Sequence, residues 1–506
     1  MRIKIRTILF WGLVAILYLL SSVIQGACDW FNLRFGVSFE EILFTITSPL
    51  AGSDVSFLDE AVAYVLPYIY AKIPFLLVVI FVIVILECVS VKISSEILQK
   101  EFSIEFYTIF KVVCVALSIV LLISPIQYAM ESLDLGTYIS RRVQKSTIYE
   151  DYYVNPATTK ITRGEELKNI IYIYIESMET TYASVEDGGA QEINYIPNLT
   201  ELAKENVSFS DTDKLGGAYV TTGAGWTMGA LFSSTTGVPF AFPIEGNSMN
   251  RFENFAPGIT SLGDILEGFG YKQVFLCGSD GTFAGRQAYF EQHGNYEVRD
   301  LFYAREKDYI PSDYQVWWGY EDLKLYDIAK KELVELAAED QPFNYTMLTV
   351  DTHHVDGYIC SACQNTYDHQ LGNVLECTDN QIADFIAWCK EQDFYKDTVI
   401  VISGDHFRMD SSLVAGHERR LYNCFINAEC EVAGDKFHRE FTSLDLFPTT
   451  LAAMGFEIEG NRLGLGTNLF SNEPTLTERL GYDSFNVELG KYSKYYVEHF
   501  EKLVSP

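Results

Sequence analysis

Three stretches of the 506-residue chain run apolar sequence straight into acidic and imidazole side chains. "NIIYIYI" over 169–175 leads to Glu176, "FNYTMLTV" over 343–350 leads to Asp351, His353 and His354, and "TVIVISGDH" ends in Asp405 and His406. A carboxylate at a buried strand end is costly unless a base or a cation pairs with it. One such ending reads equally well as a turn former or helix cap. Three together point to a shared metal or catalytic centre. Such a centre needs a nucleophile or an activated water, and "GGAYVTTGAGWTMGALFSSTTGVP" offers one. Thr227 opens a helix-like run after the small residues Gly223, Ala224 and Gly225, while Thr221, Thr222, Ser233, Thr235 and Thr236 compete for the role. A hydroxyl at a helix N-terminus beside a cation ionises more easily, and the same helix end favours phosphate. A plain N-cap threonine is the structural alternative.

Those residues need a scaffold. The runs at 169–175, 272–277, 343–350 and 397–403 are almost continuously apolar, as parallel strands covered on both faces are. Helix-like stretches lie between and after them: Pro197 to Asn206, Ile259 to Phe269, Asp379 to Gln392 and Leu444 to Met454. The alternation predicts an α/β domain over 166–506, with a mainly parallel central sheet flanked by helices. In such sheets the site lies at the carboxyl ends of the strands, where the acids and imidazoles sit.

The first 130 residues read differently. Apolar runs at Ile8 to Ile24, about Tyr68 to Val91, and around Val112 to Ile123 are each near the ~20 residues that cross a bilayer as a helix. They predict a membrane domain over 1–130 with about three transmembrane helices, and a polar juxtamembrane linker over 131–165. Arg2, Lys4 and Arg6 precede the first run, and Lys92, Lys100 and Lys111 separate the second from the third. That bias predicts a multi-pass protein of the cell membrane with a cytoplasmic N-terminus and an extracytoplasmic catalytic domain. A net charge of −31 argues against nucleic acid as a partner. In an exterior domain disulfides persist, so Cys424–Cys430 and Cys363–Cys377 are the expected bridges. The cysteine spacing does not repeat as paired knuckles, which argues against a structural zinc site.

From about Asn169 to Phe470 the chain resembles the alkaline-phosphatase superfamily, in its sulfatase-like branch of lipoteichoic acid synthases and membrane phosphoglycerol transferases. The likeness is nearest to the enzymes that decorate periplasmic glucans. It is carried by "YIYIESMETTY", "GWTMGALFSSTTGVPFAFPIEGN", "SLGDILEGFGYKQVFLCGSDGTFAGR", "TVDTHHVDGY", "TVIVISGDH", "DLFPTTLAAMG" and "RLGLG", and more loosely by "EILFTITSPLAGSD" near the N-terminus. The resemblance implies one divalent cation, usually manganese, with magnesium or zinc as alternatives, held by Glu176, Thr227, Asp405 and His406. It also implies Thr227 as nucleophile, His353 as the group that contacts phosphate and helps the leaving alcohol, and Arg286 as a grip on the phosphoglycerol head. As a loop arginine, Arg286 is expected to be exposed and to contribute little to stability. Ala284 and Cys277 stand where lipoteichoic acid synthases carry an aromatic residue and a histidine, so the likeness leans toward transfer onto a glycan.

The implied reaction moves glycerophosphate from phosphatidylglycerol through a threonine-linked intermediate to an envelope glycan, glycolipid or teichoic acid, releasing diacylglycerol. Membrane lipid is thus an implied partner. Rival readings are a phosphoethanolamine transferase, a phosphodiester hydrolase and a membrane-tethered binding module. A formylglycine sulfatase would need a C/S-x-P/A-x-R sequence, which the chain lacks.

Overall fold

The structure is a computed structural model that describes residues 5–34, 56–88, 92–97, 100–133, 136, 139–140, 143–164, 166–241, 255–353, 355–410 and 413–500. His354, the "EILFTITSPLAGSD" stretch and the "PIEGN" segment lie outside the described residues.

Long, mostly apolar sequence makes the N-terminal helices. α1 (Ile5–Arg34) contains a 25-residue apolar stretch, Thr7–Phe31. At about 1.5 Å per residue it outreaches a hydrocarbon core of roughly 30 Å. α2 (Ser56–Tyr70) and α3 (Ile73–Cys88) break at Ala71 and Lys72 with a bend of 43°. α4 (Phe106–Ser132) is strongly apolar, with Lys111 and Glu131 towards its ends. Among the described residues two helices are long and apolar enough to cross a membrane, or three if the bent pair is one span. These helices anchor the protein in a membrane.

A second unit, Ser140–Pro506, carries the chemistry. Its strands are β1 (Asn169–Ile175), β2 (Lys272–Cys277), β3 (Glu297–Arg299), β4 (Phe343–Leu348), β5 (Thr398–Gly404) and β6 (Asn423–Ile426). They form one sheet in the order β3-β2-β4-β1-β5-β6, parallel except for β6. Alternation along β1 sends Ile171, Ile173 and Ile175 to one face and Ile170, Tyr172 and Tyr174 to the other, all buried. The tyrosine face packs under α5 (Thr227–Thr236) and the helix Leu446–Ala453; Tyr174 reaches Ser234 Oγ at 2.8 Å. The isoleucine face packs under α6 (Asp322–Ala337) and α7 (Gln370–Lys390). Both faces covered is why the strands read as unbroken apolar runs.

Register positions the site. Tyr174 pairs with Leu348 and Ile175 with Gly404, so β4, β1 and β5 end level with one another. Gly404 is required there, because a Cβ would come within 1.9 Å of the Met178 carbonyl oxygen. Upstream of the sheet, Tyr149 packs against Tyr495, Tyr496 and Phe500, and Ile161–Thr162 pairs with Glu457–Ile458.

The expected bridges are not formed. Cys424 lies in β6 on the isoleucine face, its thiol directed at the Leu202 carbonyl, 3.5 Å away. Cys430 packs on the opposite side of the sheet, 3.2 Å from the Ala452 carbonyl. The strand separates the two thiols, and both are free. Cys363 and Cys377 are also free, with Cys360 in contact with each.

Candidate active site

Glu176 follows β1 directly and is 2% exposed. Ser177 turns the chain away with φ 53°, a left-handed value that few non-glycine residues adopt. The Glu176 N–H donates to Thr349 Oγ1 at 3.1 Å, tying the end of β1 to the segment after β4. Asp405 and His406 follow β5 and are fully buried. Asp405 Oδ1 accepts from the N–H groups of Ser177 and His406, each at 2.7 Å. His406 Nδ1 lies 2.7 Å from the Phe407 carbonyl; with the proton on Nδ1, Nε2 is left as an acceptor. That nitrogen stands 3.3 Å from Glu176 Oε1 and 3.5 Å from Asp405 Oδ2.

Thr227 completes the group from the far side. Trp226 is the N-cap of α5 and Thr227 its first helical residue, with no side-chain capping bond, so the plain N-cap reading does not hold. Gly223, at φ 81°, turns the preceding loop into that helix. Thr227 Oγ1 is 3.4 Å from Glu176 Oε2 and 3.4 Å from His406 Nε2. The hydroxyl thus meets two strand-end groups at the positive end of a ten-residue helix.

Buried charges of both signs meet at this group. Burial by itself would raise Glu176, yet the His406 and His353 imidazoles outweigh it and hold the carboxyl well below its usual range. Burial and the Glu176 charge push Asp405 up to about 7. Burial would lower His406, but Asp405 and Glu176 raise it to about 10. Among the described residues Asp405 Oδ2 is buried with no hydrogen-bond partner. Candidate ligand atoms of Glu176, Asp405 and His406 all lie within 4.8 Å of one another. With the Thr227 hydroxyl this makes three oxygen donors and one nitrogen, and the residues fit a divalent cation.

The sequence pattern of the sulfatase family matches residues 168–456, more than half of the chain, and spans all four of these residues. The chain belongs to the sulfatase family. Phosphoglycerol transferase I of Xanthomonas campestris pv. campestris (strain B100) is 31% identical over 346 residues, 66% of this chain and 47% of that protein. Phosphoglycerol transferase I of Escherichia coli (strain SMS-3-5 / SECEC) is 32% identical over 335 residues, 64% of this chain and 41% of that protein. The chain therefore spans less than half the length of these curated relatives. The solved lipoteichoic acid synthase LtaP of Listeria monocytogenes is 19% identical with a TM-score of 0.45, over 60% of this chain and 75% of that one.

In this sulfatase-family chain His353 and Arg286 sit on neighbouring strand ends. His353 follows β4 and packs against Trp318 at 4.8 Å and Trp317 at 5.8 Å between ring centroids. Trp318 in turn meets Phe283, 5.6 Å away, in the loop that carries Arg286. Arg286 is buried, 5% exposed, which overturns the expectation of an exposed loop residue. Its guanidinium donates to Ser279 Oγ at 3.0 Å and to the carbonyls of Asp280 at 2.6 Å and Phe283 at 3.2 Å. It holds the turn after β2 in shape.

Two groups that support the site were not singled out from sequence. Glu179, fully buried, accepts from the Arg408 N–H at 2.8 Å and pairs with Arg419. Arg408, 1% exposed, donates to the Thr352 carbonyl at 2.7 Å and pairs with Asp410 at 2.5 Å. Together they lock the turns after β1, β4 and β5. Their signal was present in "GDHFRMD" and "ESMET", where charge continues past the strand ends, but nothing in the order of residues pairs one with another. Asp351 is buried, and burial and then the Asp322 charge push its carboxyl well above the usual range.

Proposed function

We propose that this chain is a membrane-anchored, divalent-cation-dependent phosphoglycerol transferase. The observation that carries the reading is the Thr227 hydroxyl, 3.4 Å from both Glu176 and His406 at the first position of α5. The names of the relatives support the transferred group. Glu176, Thr227, Asp405 and His406 would hold the cation, manganese by its oxygen-rich donor set, with magnesium or zinc as alternatives. Bound there, the cation lowers the pKa of the hydroxyl and neutralises charge on the phosphoryl oxygens.

Thr227 Oγ1 attacks the phosphorus of phosphatidylglycerol and forms a glycerophospho-threonine diester. The lipid oxygen leaves as the hydroxyl of diacylglycerol, protonated by His353. First-turn N–H groups of α5 have no intrahelical carbonyl and receive the phosphoryl oxygens. An acceptor hydroxyl on an envelope glycan or glycolipid then attacks the diester and gives its proton to His353, while Thr227 regains from solvent the proton it released to solvent on attack. Arg286 shapes the turn beneath the glycerophosphate head. Membrane helices keep the domain beside its lipid donor, and the basic bias of the N-terminal segment supports an extracytoplasmic domain.

Labelled phosphatidylglycerol given to the purified protein with manganese tests the reading. Diacylglycerol should appear together with glycerophosphate on an added glycan. Free glycerophosphate at the same rate without acceptor would make the protein a hydrolase, and a preference for phosphatidylethanolamine would change the donor.

A further inference from the structure

Seven residues beyond His353 begins a segment where three thiols meet. Cys360 and Cys363 lie in one tight turn, closed by the Cys363 N–H on the Cys360 carbonyl at 3.2 Å. Cys377 comes from α7. The Cys360 Sγ is 3.6 Å from that of Cys363 and 3.7 Å from that of Cys377, and all three sulfurs lie within 4.8 Å of one another. Three thiolates on a tetrahedral zinc ion, at about 2.3 Å each, stand roughly 3.8 Å apart. The spacing suits an ion at the centre of the three.

Backbone and side chain prepare the site in the same sense. The Ala362 N–H points at Cys360 Sγ at 3.4 Å, and the Cys360 N–H at Cys363 Sγ at 3.3 Å. Such donors favour the thiolate, the form that binds metal. Gln381, one helical turn beyond Cys377, directs its amide at the cluster, with Nε2 3.1 Å from Cys377 Sγ and 3.7 Å from Cys360 Sγ. Gln381 is 8% exposed, and among the described residues its Oε1 is buried without any hydrogen-bond partner. A half-turn of the amide aims that orphaned oxygen at the sulfurs as a fourth donor.

We propose that Cys360, Cys363 and Cys377, completed by the Gln381 amide, form a second cation site, specific for a thiophilic divalent ion of the zinc class. Sulfur donors separate it from the oxygen-rich group at Thr227, which favours harder ions. The site fastens the 357–363 segment to α7. That segment is bonded back to the turn after β4, through Tyr358 N–H to the Asp351 carbonyl at 2.7 Å and Gly357 N–H to the His353 carbonyl at 3.1 Å. The ion therefore holds in place the turn that presents His353. This positioning role does not depend on which group the enzyme transfers.

The test is metal content in the full-length protein in detergent, purified from cells grown with zinc. About one zinc per chain should resist dialysis and be released by a mercurial that reacts with thiols. Cobalt in its place should give the near-ultraviolet band of thiolate-to-metal charge transfer. Cys363→Ser, at the half-buried position, and Cys377→Ser should lose that band and most of the zinc, while Glu176→Gln should keep both. The mercurial titration needs no variant, so a misfolded variant does not decide the outcome. Zinc lost in Glu176→Gln but retained in the cysteine variants would overturn the proposal. So would a disulfide between any two of the three cysteines, found by non-reducing peptide mapping of protein isolated from its native envelope.

Discussion

Replacing Thr227 with alanine should separate chemistry from folding. Its two hydroxyl contacts are 3.4 Å long, beyond the about 2.5–3.0 Å of a good O–H···O bond, so losing them costs less than ~0.5 kcal/mol. The lost methyl is only half-buried, for about another 0.5 kcal/mol. Alanine is the better helix former by up to ~0.7 kcal/mol, which acts in the opposite direction. The balance lies within about 1 kcal/mol of zero, or no more than ~2–4 °C in a domain of this class. Activity should behave otherwise. Without the nucleophile, release of diacylglycerol should fall on the order of 10⁴-fold or more, the scale of nucleophile removal in other covalent enzymes. The assay pairs thermal unfolding with turnover of fluorescent phosphatidylglycerol and intact-mass detection of a glycerophosphate adduct on the Thr227 peptide. Thr227→Ser should retain a share of the activity and the adduct. Parental turnover by Thr227→Ala would show that another group attacks phosphorus, and a melting point lower by more than ten degrees would show that the hydroxyl is structural.

Metal binding should release protons. With His406 pushed up to about 10 and Asp405 to about 7, manganese must displace the His406 proton at neutral pH, so its affinity should rise about tenfold per pH unit between roughly 7 and 10. Calorimetry in buffers of different ionisation enthalpy measures this, and a flat profile would refute it. In the metal-free protein the same raised His406 value stabilises the fold fully below about pH 6.5, and the contribution is lost as pH rises through about 10. Arg286→Ala should lower stability by roughly 2–4 kcal/mol, since it leaves Ser279 and the Asp280 carbonyl without their donor in a buried turn. An unchanged melting temperature would return Arg286 to a purely substrate-binding role. Glu179→Ala should cost roughly 2–4 kcal/mol by stripping half-buried Arg419 and the buried Arg408 N–H of this carboxylate and should impair metal retention with it; a stable variant with full manganese affinity would count against the lock beneath the site.

The parts of this molecule legible in sequence were those where chemistry interrupts a periodic pattern. β1 and β2 coincide with the expected runs because strands covered on both faces leave no polar break until they end. Glu176, Asp405 and His406 could be grouped because parallel strands deliver their ends to one edge, and the Ile175–Gly404 register makes that grouping literal. Properties decided by where the chain turns back were not legible. Arg286 looks like a loop residue, but left-handed turns at Ala284 and Gly285 fold its guanidinium inward. Cys424 and Cys430 are near in sequence, yet the strand carrying one hides it from the other.

The thiol cluster combines both kinds of difficulty. α7 starts at Gln370 rather than Asp379, because His369 caps it by accepting the Gly372 N–H and Asn373 ties down the preceding Thr366 and Tyr367. Gly372 and Asn373 are weak helix formers, so the first two turns read as loop. Once those turns are helical, Cys377 and Gln381 lie one turn apart on the same face, as an i, i+4 pair must. The pair of cysteines at 360 and 363 then has a helix-borne partner rather than a second knuckle. A spacing rule that looks for two pairs cannot see a site built from one pair and one helix face. The same reasoning explains why the hard-donor site was visible and the soft-donor site was not: the first gathers strand ends, which parallel topology fixes in advance, and the second gathers a turn and a helix, which only tertiary packing brings together.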